Sequence, residues 1–248
     1  MRSMNSHNLG HHFKPALAVA VILAAMVGFA ALNGCGGSSS TTTTVAIDPA
    51  DFSTTIDNKH FPLEPGTTYI YESGDGGTRI EVVVTNETKV IQGVTCVVVR
   101  DTVTEGGALV EDTYDWYAQD KDGNVWYFGE DTKEYQDGQV VSTAGSWEAG
   151  VKGAVPGYIM KAEPRVGDRY QQEYLKGEAE DMAEVLALDA SATVPYGSFA
   201  QVLKTKEWTP LEPDVEEEKL YAPGVGLIRI EVVKGGSGVE QLVQVTGP

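Results

Sequence analysis

After residue 35 the chain keeps one imidazole, His60, and one thiol, Cys96, so any acid–base or nucleophilic chemistry would have to run through these or through carboxylates. His60 has no Gly-x-Ser-x-Gly elbow to serve as its nucleophile. It stands before Phe61-Pro62, where entry into a strand explains it equally well. Cys96 lies in Val94-Thr95-Cys96-Val97-Val98-Val99, a run in which a thiol is a small core residue and chemically inert. Asp120, Asp122 and Asn124 have the alternating oxygens of a calcium loop, but Gly123 falls between them, and a hairpin turn accounts for the same residues. Glu178, Glu180, Asp181 and Glu184, and the run Glu216-Glu217-Glu218, offer hard oxygen donors. On a strand alternate members of such runs point apart, so a solvated acidic face is expected and no metal or cofactor is assigned. Glycoside hydrolysis needs two carboxyls about 5 to 10 Å apart, and 36 Asp and Glu single out no pair. No catalytic residue is assigned.

The aromatic residues are more suggestive. Trp116, Trp126, Trp147 and Trp208, with Tyr114, Tyr117 and Tyr127, include several that follow one another across the turn at Lys121 to Asn124. As cross-strand pairs they would pack a core. Facing outward or into a hollow, Trp116, Trp126 and Tyr127 would form a stacking surface for a sugar ring or the wall of an acyl pocket.

The elements that must position these groups have a period of two. Ile80, Val82 and Val84 alternate with Arg79 and Glu81, and Ile228, Ile230 and Val232 with Arg229 and Glu231. Val239, Gln241, Val243 and Val245 fall on one face, opposite Glu240 and Gln244. Glycine-containing turns such as Gly74 to Gly77, Glu105 to Gly107, Gln136 to Gly138 and Lys234 to Gly236 punctuate the strands. A repeat doubles the pattern: Gly93 answers Gly197 and Tyr117 answers Tyr221, at an offset of 104 (197 − 93; 221 − 117). The expected fold is all-β, an antiparallel meander of two internal repeats (about 60–146 and 165–248) forming a large curved sheet or half-open barrel, with a β-sandwich as the alternative. Trp147 to Pro164 reads as the connection between halves, and residues 48–248 as one domain.

The leading segment is different in kind. Arg2, His7, His11, His12 and Lys14 precede an uncharged apolar run of 17 residues, Ala16 to Leu32, which is the pattern of a signal peptide over 1–34. Residues 36–44 are only Gly, Ser and Thr, and 35–47 read as a flexible tether. The whole chain carries a formal charge of −18, and the part from Cys35 onward −20 (16 Lys and Arg against 36 Asp and Glu), which repels phosphate backbones and argues against nucleic acid.

Leu32-Asn33-Gly34-Cys35 resembles the lipobox of bacterial lipoproteins. That resemblance implies cleavage after Gly34, acyl chains on Cys35 and a membrane-held, exported protein. Gly36 is not the Asp of an inner-membrane retention signal, so the implied location is the outer membrane of a Gram-negative cell or otherwise the outer face of the cell membrane. Leu220 to Ile228 is similar to a strand-turn-strand phrase of uncharacterised bacterial lipoproteins, and the architecture resembles half-barrel carriers of lipids and lipoproteins. The expectation is a non-enzymatic envelope protein that binds an apolar ligand or an envelope partner. The alternatives are a carbohydrate or peptidoglycan module using the tryptophans, and a carboxylate-dependent hydrolase.

Overall fold

The computed structural model describes residues 46–248; the segment expected to be a signal peptide, Cys35 and most of the expected tether lie outside them. A 3-10 turn, Pro49–Asp51, leads into β1 (Phe52–Ser53), which pairs with the far end of β5. The first meander is β2 (Thr68–Ser73), β3 (Thr78–Ile91), β4 (Val94–Glu105), β5 (Ala108–Asp120) and β6 (Val125–Gln136). Then come β7 (Gln139–Ser142), β8 (Trp147–Glu148) and β9 (Val155–Met160), all paired to β6, followed by β10 (Arg169–Gln171) and β11 (Glu173–Tyr174). The second meander is β12 (Met182–Val194), β13 (Gly197–Trp208), β14 (Glu216–Ala222), β15 (Gly226–Lys234) and β16 (Val239–Thr246).

Strand order through the sheet is β10-β12-β13-β14-β15-β16-β2-β3-β4-β5-β6-β9-β11, antiparallel throughout. The two meanders therefore join where β16 pairs with β2, with Leu242 opposite Tyr71. The ends of the sheet meet again in one kinked stretch of chain: Arg169–Gln171 pairs with β12 and Glu173–Tyr174 with β9, Gln172 turning between them. One sheet rolled into a barrel with a seam replaces the sandwich alternative. Close approach at the seam depends on Gly157, where a Cβ would fall 2.3 Å from the Gln171 carbonyl oxygen.

The alternation read from the sequence governs burial over most of the barrel. Ile228, Ile230 and Val232 are buried while Arg229 and Glu231 are not, and Ile80 and Val84 are wholly inside. Two expectations fail. In β16 the buried face is Glu240 and Leu242, because a bulge between Leu242 and Gln244 shifts the phase and Val245 then packs toward the core. The expected connection from Trp147 to Pro164 is part of the sheet, since β8 and β9 extend β6 and carry the chain to the seam.

Residues 56–63 form a strap across the barrel end that holds the β5–β6 and β14–β15 turns. Asn58 donates from Nδ2 to the Gly123 and Lys161 carbonyls, Gln119 Oε1 accepts from the Asp57 and Asn58 amides, and Gly224 N–H donates to Lys59 O at 2.7 Å. An antiparallel bridge, Ile56 to Leu63, closes the strap on itself. Both halves are thereby tied at this end, and Phe61, Pro62 and Leu63 are carried over the interior.

Candidate functional site: an aromatic pocket on a carboxyl floor

Beneath the strap lies a pocket with about 90 Å³ of free space, or 670 Å³ counting its open mouth. That is enough for a few waters or one small organic molecule, and too little for a two-chain lipid. Phe61 comes from the strap, Tyr69 and Tyr71 from β2, Tyr117 from β5, Tyr221 from β14 and Leu227 from β15. The rings are fixed. Phe61 packs edge-on against Tyr117 at 5.4 Å between centroids and tilts against Tyr221 at 6.5 Å, so the two repeat-related tyrosines meet on one ring. Tyr71 donates to the Leu227 carbonyl at 3.0 Å, and Tyr117 stacks on Tyr127 at 4.9 Å. Tyr–Oη protons are held on by burial, which raises Tyr71, Tyr117 and Tyr221 well above the usual phenol range.

Deeper in the barrel the lining turns ionisable, with Asp101, Asp115 and Lys219. They head a run of buried groups: Glu130, Glu173, Asp181, Glu207, Glu217 and Glu240, with Lys219 the one buried lysine or arginine among the described residues. In the second half the charges are matched. Glu207 accepts from Tyr221 Oη at 2.9 Å and Thr205 Oγ1 at 2.8 Å, and its other oxygen lies 2.8 Å from Lys219 Nζ. Burial pushes Glu207 up, but Lys219 and these hydrogen bonds outweigh it and hold the carboxyl below its ordinary range. Lys219, penalised by burial yet facing Glu207, Glu217 and Asp181, stays protonated with a raised pKa.

The first half has no buried cation among the described residues. Tyr127 Oη lies 2.6 Å from Asp115 Oδ1 and 2.9 Å from Glu130 Oε2. One hydroxyl has one proton to give, so one of those carboxyls must carry its own and donate to the phenol oxygen. Burial accounts for this: it lifts Asp115 to about 7 against the hydrogen bonds of Tyr127 and Tyr117, and, joined by the Asp115 charge, lifts Glu130 well above its ordinary range. Asp101 is raised for the same reasons, burial first and then Asp115, Glu111 and Asp112. Its Oδ1 makes no hydrogen bond although the residue is 2% exposed. The repeat makes the contrast plain, since Asp115 and Lys219 stand at the same offset as Tyr117 and Tyr221 (219 − 115), each two residues before its tyrosine.

The residues singled out from the sequence lie elsewhere. Trp116 is 6% exposed beneath Lys89, whose Nζ stands 3.2 Å from the ring centroid. Trp126 is packed against Phe52 and Tyr158 and donates to Asp120, while Tyr127 is fully buried behind Tyr117 and edge-on to Trp147. None of the three lines the pocket. Asp120 spends its oxygens on the Asp122 and Asn124 amides, Asn124 Nδ2 and Trp126 Nε1, as a hairpin turn requires, with Gly123 at φ +89°. Cys96 is buried and pushed up to about 12, burial outweighing nearby Lys89. His60 is buried, its pKa lowered by burial and then by Lys59. Within the acidic runs Glu217 and Asp181 point inward, which corrects the solvated face expected for them. Their signal was present in the sequence: Asp101 is in phase with Val97, Val99 and Val103, and Glu217 and Lys219 with Tyr221.

No family model matches the chain, and no curated protein matches it. Among solved structures it is similar to a Bacteroides fragilis protein named a "putative exported protein with YmcC-like fold", with 16% identity over 76% of this chain and 99% of that one and a TM-score of 0.46. It is also similar to a "putative lipoprotein" of Parabacteroides distasonis, with 13% identity over the same shares and a TM-score of 0.42.

Proposed function

We propose that this chain is an exported, lipid-anchored envelope protein, held by acyl chains on Cys35, whose barrel binds a small, largely apolar ligand without transforming it. The observation that carries the binding reading is the pocket under the strap: aromatic and aliphatic walls contributed by both halves, open at one end and fixed by hydrogen bonds before any ligand arrives. Pre-formed apolar concavities with a few convergent polar groups are what small-molecule sites consist of. The lipobox-like Leu32-Asn33-Gly34-Cys35 and the Gly, Ser and Thr tether support the placement at a membrane surface. The free volume favours one small molecule over a diacyl lipid, and the burial of Trp116, Trp126 and Tyr127 favours the pocket over a tryptophan face for sugars.

Native mass spectrometry of the full protein in non-ionic detergent, followed by organic extraction, tests this. A small extractable mass excess is expected, together with a rise in melting temperature on adding 2-phenylethanol. Both effects should vanish when Val82, in the pocket wall, is enlarged (Val82→Trp). A bare mass and an unmoved melting temperature would sink the reading.

A further inference from the structure

Resting on the pocket reading above, we infer that the ligand is a cationic amine: an ammonium group on an aromatic or short aliphatic body, its charge seated against Asp101 and Asp115 and its body among Phe61, Tyr69, Tyr71 and Tyr117. Four observations lead there. Asp101 lines the pocket, is 2% exposed, and leaves Oδ1 without a hydrogen-bond partner, an arrangement that costs stability unless something occupies it. The other buried acid of the pocket lining, Asp115, is itself one of a pair with Glu130 around a single tyrosine proton. The lysine of the lining is already committed, 2.8 Å from Glu207 and 3.7 Å from Glu217, so it does not neutralise the Asp101 side. Finally, the repeat supplies the template: in the second half a cation, Lys219, sits where the first half has Asp115, and an incoming ammonium would do for the first half what Lys219 does for the second. The tyrosine rings around the charge add cation–π attraction, which grows where water is excluded.

The charges acting on Asp101 are Asp115 and Glu111 on its own face of β5 and Asp112 on the opposite face, where Arg100 binds it, with Tyr71 and Tyr117 close by; the cation of the lining, Lys219, is held by Glu207 and Glu217. Without a bound cation the carboxyls of Asp101 and Asp115 therefore hold protons. Seating an ammonium favours the carboxylate form, so amine binding should release a proton and strengthen as pH rises from about 5 to 8.

Isothermal titration of the full chain in detergent with 2-phenylethylamine, 2-phenylethanol and 3-phenylpropionate separates the possibilities. The amine should bind about ten-fold or more tighter than the alcohol at pH 7, and the acid weakest. Repeating the titration in buffers of different ionisation enthalpy should show protons released with the amine and none with the alcohol. Asp101→Asn should bring amine and alcohol to within about three-fold of each other; the proton release measured on the unaltered chain stands if that variant fails to fold. Equal binding of amine and alcohol, or a preference for the acid, overturns the cation inference and leaves the pocket reading standing. Binding of none of the three overturns both.

Discussion

Lys219 Nζ lies 2.8 Å from Glu207 Oε2 inside the barrel, with the two side chains 9% and 7% exposed. Breaking a buried pair from one side leaves the other charge stranded, at a cost of about 3–5 kcal/mol. Lys219→Met should therefore lower the denaturant midpoint strongly, with Glu207 and Glu217 left facing each other. Adding Glu207→Gln should recover part of the loss. Equal midpoints for Lys219→Met and the unaltered protein in urea unfolding would contradict the description of this pair.

Stability should fall as pH rises across the neutral range. Asp115 and Asp181 are lifted to about 7, burial being the chief cause in each, and Glu111 and Glu240 likewise to about 7. A carboxyl raised in the folded state binds more protons there than in the unfolded chain. The stability it lends is full below about pH 4 and is lost as pH climbs through 7. Glu207 works oppositely, its lowered pKa lending stability that is lost in acid. With these four against it, and Asp101, Glu130 and Glu173 raised as well, the melting temperature should be higher near pH 5 than near pH 8, by on the order of 10 °C. Thermal unfolding followed by circular dichroism at the two pH values decides it, and a rise toward pH 8 would count against the protonated interior.

Glu173 is wholly buried, with neither carboxyl oxygen in a hydrogen bond. The Trp147 indole offers it some relief without closing a full hydrogen bond, and burial, Asp181 and Glu130 all hold it protonated. A residue of similar volume without the carboxyl removes that penalty, so Glu173→Met should stabilise by about 1–2 kcal/mol. Chemical denaturation of the variant is the check, and a loss of stability would mean that Glu173 has a partner in solution.

These interior charges show where sequence reading stops. Period-two alternation located Ile228, Ile230 and Val232 on the buried face because sheet burial is a local consequence of the pleat. It missed the phase of β16 because one extra residue near Val243 is invisible to a pattern count. The 104-residue repeat paired Tyr117 with Tyr221, but their meeting on Phe61 depends on closure between strands far apart in the chain. The sequence does not single out Asp101 or Lys219, since a charge normally marks the wet face. Only their agreement in phase with Val99 and Tyr221 argued otherwise.

At the seam, Gly157→Ala should open the barrel locally. The added methyl would fall 2.3 Å from Gln171 O and 2.6 Å from Gln172 O, both backbone atoms that cannot step aside without breaking β9 from β11. A cost of at least about 1–3 kcal/mol is expected. Hydrogen exchange should quicken in β9 to β11 before it does in β3 to β5. Uniform protection in the variant would show that closure does not depend on this approach.

The proposed anchor makes its own prediction. Cys35→Ser should abolish the acyl-dependent mass increase and move the protein from the detergent-extracted membrane fraction to the soluble one, or leave it unprocessed. Unchanged mass and fractionation would refute lipidation at Cys35.

The kinked stretch around Gln172 bears on how many copies can live side by side. A sheet of 16 strands left open would present two long borders of unpaired N–H and C=O groups, each a template for another chain. Here both borders end in strands of three and two residues that belong to one short piece of backbone. If acylated copies crowd on a membrane surface, as proposed above, the stretch of border closed by Arg169–Tyr174 is already paired and offers such encounters nothing to extend.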